Sequence, residues 1–114
     1  MADCPFCRIV RKEAPAEVLY EDDRVVAFRD RSPQAPVHYL VVPRKHIPSL
    51  ADTNGVDKDL LGHTMMVVNK VAGMTGISEK GFRLVVNCKR QGGQTVSHLH
   101  LHVLGGRQMT WPPG

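Results

Sequence analysis

The stretch His98-Leu99-His100-Leu101-His102-Val103-Leu104 is the part of the sequence that decides the fold. Its histidines alternate with apolar residues, and alternate side chains of a β-strand point to opposite faces of a sheet. The pattern predicts a strand over residues 95–104 with one apolar face and one histidine face. Neighbouring histidines on that face would lie roughly 6.5–7 Å apart, close enough to hold one small polar ligand together. The alternative is a surface strand whose histidines have no ligand.

The composition is that of an ordinary globular chain. Its 114 residues predict one domain, residues 1–114, and hydrophobic and charged contents of 42% and 23% are typical of soluble proteins. No apolar run approaches the ~18 residues of a membrane span, and no signal peptide is evident, so we expect a cytoplasmic or nuclear protein that binds no membrane. The net charge of +4 is scattered and forms no nucleic-acid-binding arm. It suits an anionic small ligand or a solvated surface equally well.

Hydrophobic periodicity predicts an α+β fold, a five-stranded antiparallel sheet with one long helix packed on one face. The long helix covers residues 57–75, and its predicted apolar face includes Met65 and Met74. A short N-terminal helix begins at Pro5 and ends near Lys12. The predicted strands are residues 17–21, 24–29, 37–42, 81–87 and 95–104.

Several residue groups have the chemistry of a phosphate site or a metal site. A neutral imidazole is a nucleophile and its N–H is a donor, which suits phosphoryl transfer, but histidines two apart on a strand can also bind zinc or copper. The turn over residues 92–95 can cradle an anion with backbone N–H groups, or its glycines serve the turn alone. Asn87 can bind a ligand or cap that turn. Cys4-x-x-Cys7 indicates metal or redox chemistry, because three cysteines without a signal peptide do not suggest a disulfide framework.

The histidine stretch resembles the His-x-His-x-His motif of the histidine triad (HIT) superfamily. The resemblance extends over nearly the whole chain and is closest to the Hint branch of nucleotide-binding proteins. The stretches that carry it are Asp30, residues 32–36, His38, residues 43–46, 61–63, 85–87 and 92–94, and the C-terminal residues 104–109 and 111–114.

The resemblance implies a purine nucleoside phosphoramidase that hydrolyses the P–N bond of adenosine or guanosine 5′-phosphoramidates. His100 matches the nucleophile, which would form a nucleotidyl-histidine intermediate. His102 would hold phosphate oxygens, and His38 would support the site. Thr95 stands where the family usually has a serine, and its hydroxyl would assist the leaving nitrogen.

The resemblance also implies a nucleotide-binding set. Asp30 would bind the ribose hydroxyls, and Arg31 replaces the apolar residue usual after that aspartate, which leaves the base preference open. The remaining members are Asn87, Gly93, Gln94 and Thr95 near the phosphate, and Phe6, Ile9, Phe28 and Leu40 in the base pocket. Plain core packing is the alternative for the last four.

A structural zinc ion is the implied cofactor, and catalysis itself would require none. Cys4, Cys7, His46 and His98 match the zinc ligands of many bacterial relatives, and the alternative is a pair of free cysteines. Family members are homodimers that use the long helix and the fourth strand, and Trp111 would approach the partner's site. The expected partners are therefore a purine nucleotide and a second copy of the chain, without nucleic acid.

Three other functions remain open at this point. One is a dinucleoside polyphosphate hydrolase, as in the Fhit branch, although the ending Trp111-Pro112-Pro113-Gly114 argues against it. The second is a nucleotide-binding adaptor whose catalysis is incidental. The third is a metal-binding module.

Overall fold

The computed structural model describes residues 4–114 of the chain. Two short 3-10 turns, Leu50–Asp52 and Gly55–Asp57, lead into the long helix. The other elements, in chain order, are α1 (Pro5–Val10), β1 (Val18–Glu21), β2 (Val25–Arg29), β3 (Val37–Pro43), α2 (Lys58–Met74), β4 (Phe82–Val85) and β5 (Leu101–Gly105). The N-terminal helix therefore ends two residues before the predicted Lys12, which has a left-handed backbone with φ of 61°.

The five strands form one antiparallel sheet in the order β1-β2-β3-β5-β4. Asp22 closes the β1–β2 hairpin, because its Oδ1 accepts from the N–H groups of Arg24 and Val25 at 2.8 Å each. β5 lies between β3 and β4, so strand ladders flank it on both sides. The α+β fold predicted from the sequence, with its five strands and two helices, is confirmed.

The two helices cover opposite faces of the sheet. Residue i and residue i+2 of a strand share a face, which separates the core into two clusters. The cluster under α2 includes Val25, Ala27, Val41 and Val103 of the strands. The cluster under α1 includes Val26, Phe28, Leu40 and Val42. His102 lies directly opposite Leu40 in the β3–β5 ladder, so its side chain is on the α1 face.

The segments on either side of α2 have a defined local geometry. Asn54 and Asp57 form a reciprocal capping box just before it, and Gly76 follows it with a φ of 77°. Its buried face is Thr64, Val67, Val68, Val71 and Ala72. Met65 and Met74, which were predicted on that face, are about half exposed at 49% and 52%. None of the helices within residues 4–114 is long and apolar enough to cross a membrane.

The predicted histidine strand is wrong in its first half. β5 begins only at Leu101, and residues 95–100 are irregular. The N–H of His98 donates to the Val96 carbonyl at 2.9 Å, a tight turn that no extended strand makes. β3 also ends at Pro43, whose ring nitrogen has no hydrogen to donate to a longer ladder. The three histidines therefore do not line one face of a strand.

Candidate active site

The three histidines of the motif occupy different environments. His98 and His100 are buried in the irregular segment, whereas His102 is half-buried within β5. The rings of His100 and His102 are 5.0 Å apart between centroids, and His98 turns towards α1 instead. The structure therefore brings His100 and His102 together with His38, and it separates His98 from them.

The tautomer of His100 follows from a main-chain contact. Its Nδ1 lies 2.7 Å from the carbonyl oxygen of His98, and a carbonyl can only accept. We therefore assign the proton of the neutral ring to Nδ1, which leaves the lone pair on Nε2. The ring of Phe6 packs edge-on against His100 with a centroid distance of 5.0 Å. These two contacts fix both the tautomer and the ring plane of His100.

A second chain of contacts assigns the opposite tautomer to His102. The backbone N–H of Gln34 donates to His38 Nδ1 at 3.0 Å, so His38 carries its proton on Nε2. That Nε2 lies 2.9 Å from His102 Nδ1 and 3.4 Å from Asp30 Oδ2. Because His102 Nδ1 accepts a hydrogen bond from the His38 Nε2–H, the neutral His102 ring carries its own proton on Nε2. The site thus pairs one imidazole lone pair with one imidazole donor.

Burial favours the neutral form of His102 and of His38. It lowers the pKa of His102 to about 4, and the neighbouring rings of His100 and His38 add to the effect. Burial also lowers the pKa of His38, although the carboxylate of Asp30 acts in the opposite direction. A neutral pair is what the tautomer assignment requires, because a protonated ring would donate from both nitrogens.

Asp30 and Arg31 immediately follow β2. The Asp30 carboxylate accepts from the N–H of Ser32 at 2.7 Å through Oδ1, so it keeps lone pairs for a ligand. Both residues line a groove of about 480 Å³ together with Pro15 and Ala16. Pro15 and Ala16 also line a neighbouring groove of about 540 Å³ that contains Ile9. Arg31 is exposed at this edge.

The predicted base-pocket residues come together on the α1 face. Phe6, Phe28 and Leu40 are buried in one cluster, and Ile9 packs against it while remaining half-buried. The rings of Phe6 and Phe28 meet edge to face at 5.5 Å. Their packing contributes to the core whether or not a base also binds there.

The loop before the histidine segment is held by its own polar groups. Asn87 Nδ2 donates to the Gly92 carbonyl at 2.7 Å, which is the capping contact considered above. The N–H groups of Gly93 and Gln94 donate to loop carbonyls at 3.0 Å each, so these two donors are engaged within the turn. The Gln94 side chain donates to the Pro48 and Val96 carbonyls. Thr95 is exposed beside this loop.

Cys4, Cys7, His46 and His98 form a compact group, here called the Cys/His cluster. Each offers one ligand atom, and these atoms lie within 4.8 Å of one another. His46 Nδ1 is 3.1 Å from both Cys7 Sγ and His98 Nδ1, and Cys4 Sγ is 3.4 Å from His98 Nδ1. Two thiols and two imidazoles are a set that can hold a metal ion.

The surroundings of the Cys/His cluster fit that role. His98 Nε2 donates to the Pro43 carbonyl at 2.8 Å, which leaves Nδ1 unprotonated and aimed at the other three ligand atoms. Burial lowers the pKa of both His98 and His46. Burial and the hydrogen bond with Cys4 raise the pKa of the Cys7 thiol, so a metal ion would displace a proton on binding.

Three contacts of the site come from groups that have no signature in the sequence. The N–H of Gln34 fixes the tautomer of His38, and the carbonyl of His98 fixes that of His100. The carbonyl of Pro43 fixes the tautomer of His98. Main-chain groups are present at almost every position, so no residue type marks them. The contact between Phe6 and His100 was also not predicted from the sequence, although Phe6 lies between Cys4 and Cys7.

Comparisons with known proteins agree with the fold described above. The family model described as "HIT domain" matches residues 11–109. An uncharacterized HIT-like protein of Synechocystis sp. is 50% identical over 112 residues, covering 98% of this chain and 97% of the relative. The crystal structure of a HIT family hydrolase from Legionella pneumophila superposes with a TM-score of 0.96 at 52% identity, covering 98% and 100% of the two chains. A histidine triad protein from Clostridium difficile gives a TM-score of 0.93 at 46% identity, covering 96% of each chain.

Proposed function

Because the chain belongs to the HIT family, we propose that it is a purine nucleoside phosphoramidase of the Hint branch. Its substrates would be adenosine or guanosine 5′-phosphoramidates. The contacts that assign opposite tautomers to His100 and His102 are the observation that carries the proposal. A lone pair beside an N–H donor is what attack on a charged phosphorus requires, since the donor stabilises the oxygens that gain charge.

In the first step, the Nε2 lone pair of His100 attacks the α-phosphorus and the P–N bond to the amine breaks. The leaving amine takes the bonding electrons and a proton, which the exposed Thr95 hydroxyl would supply and the attacking water of the second step would replace. In the second step, water attacks the same phosphorus, the bond to Nε2 breaks, and AMP or GMP is released. Two displacements restore the free His100 ring.

The other residues bind and orient the nucleotide. His102 donates its Nε2–H to a phosphate oxygen, and His38 keeps His102 in the tautomer that can do so. Asp30 accepts from the ribose hydroxyls, as a carboxylate can from two donors at once. Asn87, Gly93 and Gln94 would lie near the phosphate, although the N–H groups of Gly93 and Gln94 already donate within the turn. Phe6, Ile9, Phe28 and Leu40 would surround the base, and Arg31 would lie at the rim.

Zinc is the metal that best suits the Cys/His cluster, and its role would be structural. Two thiolates and two imidazoles complete a tetrahedral shell, so no position remains for substrate. His100 and His102 do not belong to this set, and the chemistry above needs no metal. The ion would tie α1, through Cys4 and Cys7, to the segment that contains His98.

We further propose a homodimer in the cytoplasm. β4 is an edge strand, and Met66 is 63% exposed on α2, so the fourth strand and the long helix both offer unpaired surface. No disulfide joins Cys4, Cys7 or Cys88, which suits a reducing compartment.

Parallel turnover assays test the function. Purified protein is given adenosine 5′-phosphoramidate and, separately, diadenosine triphosphate, and nucleotide products are quantified. We expect faster cleavage of the phosphoramidate and its loss in His100→Ala. The matched control is His63→Gln, which replaces a histidine that bonds Asp22 at 2.7 Å, outside the site. Faster cleavage of the triphosphate would instead identify a dinucleoside polyphosphate hydrolase, and turnover of neither substrate would favour an adaptor.

A further inference from the structure

His98 takes part in both the Cys/His cluster and the hydrogen bonding of His100. Its imidazole Nδ1 is part of the Cys/His cluster, while its carbonyl accepts the Nδ1–H of His100 at 2.7 Å. The Nε2–H of the same ring donates to the Pro43 carbonyl, so the ring is held from both sides. The ring that belongs to the cluster and the carbonyl that sets the tautomer of His100 are therefore parts of one residue.

Phe6 provides a second link between the cluster and His100. It lies between Cys4 and Cys7 in α1, and its ring packs edge-on against His98 at 6.0 Å and His100 at 5.0 Å. α1 has only six residues, and a helix of that length does not persist in water without tertiary anchors. The two cysteines flank Phe6 and are the anchors that the cluster supplies.

The backbone around His98 has few other supports. Residues 95–100 lie outside the sheet, and the N–H of Leu99 donates to the Ile47 carbonyl at 2.7 Å. His46 and His98, which belong to the cluster, immediately precede the two residues of this bond. Metal binding by the Cys/His cluster would therefore also fix this hydrogen bond, which joins residues 95–100 to residues 44–56.

His38 and His102 do not depend on the cluster. The N–H of Gln34 holds His38, and both histidines lie in the β3–β5 ladder. Their tautomers are an internal reference, because a change that starts at the cluster should alter the tautomer of His100 and leave the hydrogen bond between His38 and His102 in place.

We propose that the Cys/His cluster, when it holds zinc, is a positioning device for His100, with Phe6 and His98 as the positioning residues. Zinc binding by Cys4 and Cys7 would seat Phe6 against the nucleophile and fix the His98 carbonyl that selects its tautomer. The kinetic consequence rests on the proposed phosphoramidase function, whereas the effect on the His100 ring does not.

The first experiment compares zinc-loaded and chelator-treated protein. Histidine-specific ¹⁵N labelling and two-dimensional NMR report the tautomer of each ring. We expect His100 in one tautomer with zinc and in a mixture after chelation, while His38 and His102 keep their tautomers. In the turnover assay we expect kcat to fall about tenfold on chelation with KM changed less than about twofold, because one orienting hydrogen bond is weakened. Added zinc should restore both readouts.

Two variants keep the test decisive if the chelated protein unfolds. Phe6→Leu preserves an apolar side chain and all four cluster residues, so we expect one zinc per chain but an altered His100 signal. Val71→Ala is the control, because it opens a cavity in α2 on the opposite face of the sheet and should leave the His100 signal unchanged.

Three results would overturn the proposal. The first is a folded, chelated protein whose His100 spectrum matches that of the loaded protein, and the second is an unchanged His100 spectrum in Phe6→Leu. The third is the absence of bound zinc by elemental analysis. If the protein has no phosphoramidase activity, the NMR comparison still decides whether the cluster positions His100.

Discussion

Lowering the pH from 7 to 5 should destabilise the protein through His102. Burial lowers the pKa of this ring to about 4 in the folded state, and its pKa in the unfolded chain is about 6.5. Between these values the unfolded chain binds more protons than the folded protein, so the free energy of unfolding decreases as the pH falls. The linkage relation gives a loss of about 2 kcal/mol for this one residue between pH 7 and pH 5.

Urea denaturation followed by far-UV circular dichroism at both pH values measures this loss. The comparison is between the unmodified protein and His102→Asn, whose Oδ1 can replace Nδ1 as the acceptor for His38 Nε2–H. Other titrating groups and any bound zinc act in both proteins, so the difference between their pH responses isolates His102. We expect His102→Asn to lose about 2 kcal/mol less than the unmodified protein. An equal loss in both would refute the account of a ring kept neutral by burial.

The remaining stability predictions concern packing and one hydrogen-bond network, and urea unfolding at pH 7 measures each. Gly105→Ala should cost about 1–3 kcal/mol, because the new Cβ would lie 2.7–3.0 Å from three side-chain atoms of Ile77; an unchanged midpoint would contradict this. Leu99→Ala should cost about 2–5 kcal/mol, since the side chain is 1% exposed in the core, and a loss below about 1 kcal/mol would count against that packing. Asp22→Asn should cost about 1–3 kcal/mol through its weakened bond with His63, and it should not alter turnover.

Local patterns predicted most of the fold. The helical period of α2 and the short gap between the predicted strands 17–21 and 24–29 depend on residues close in sequence, so the sequence alone suffices for them. The start of β5 could not be predicted in this way. It depends on β3 ending at Pro43 and on the Ile47 carbonyl bonding Leu99, which are contacts between distant parts of the chain.

The site could be predicted in composition but not in arrangement. Alternation alone implied three equivalent histidines, and the structure separates His98 from the other two through the Cys/His cluster. Cys4 and His98 are 94 residues apart, so no spacing rule joins them, and only the family resemblance suggested the pair. The tautomers depend on the Gln34 N–H and the His98 carbonyl, which no side-chain pattern reveals.

Identification of the covalent intermediate tests the central claim most directly. The protein is mixed with adenosine 5′-phosphoramidate, stopped rapidly at alkaline pH to preserve a phosphorus–nitrogen bond, digested and analysed by mass spectrometry. We predict one adenylyl group on His100, and none in His100→Ala under the same conditions. An adenylyl group on His98, His102 or His38, or full turnover by His100→Ala, would contradict the assignment of the nucleophile.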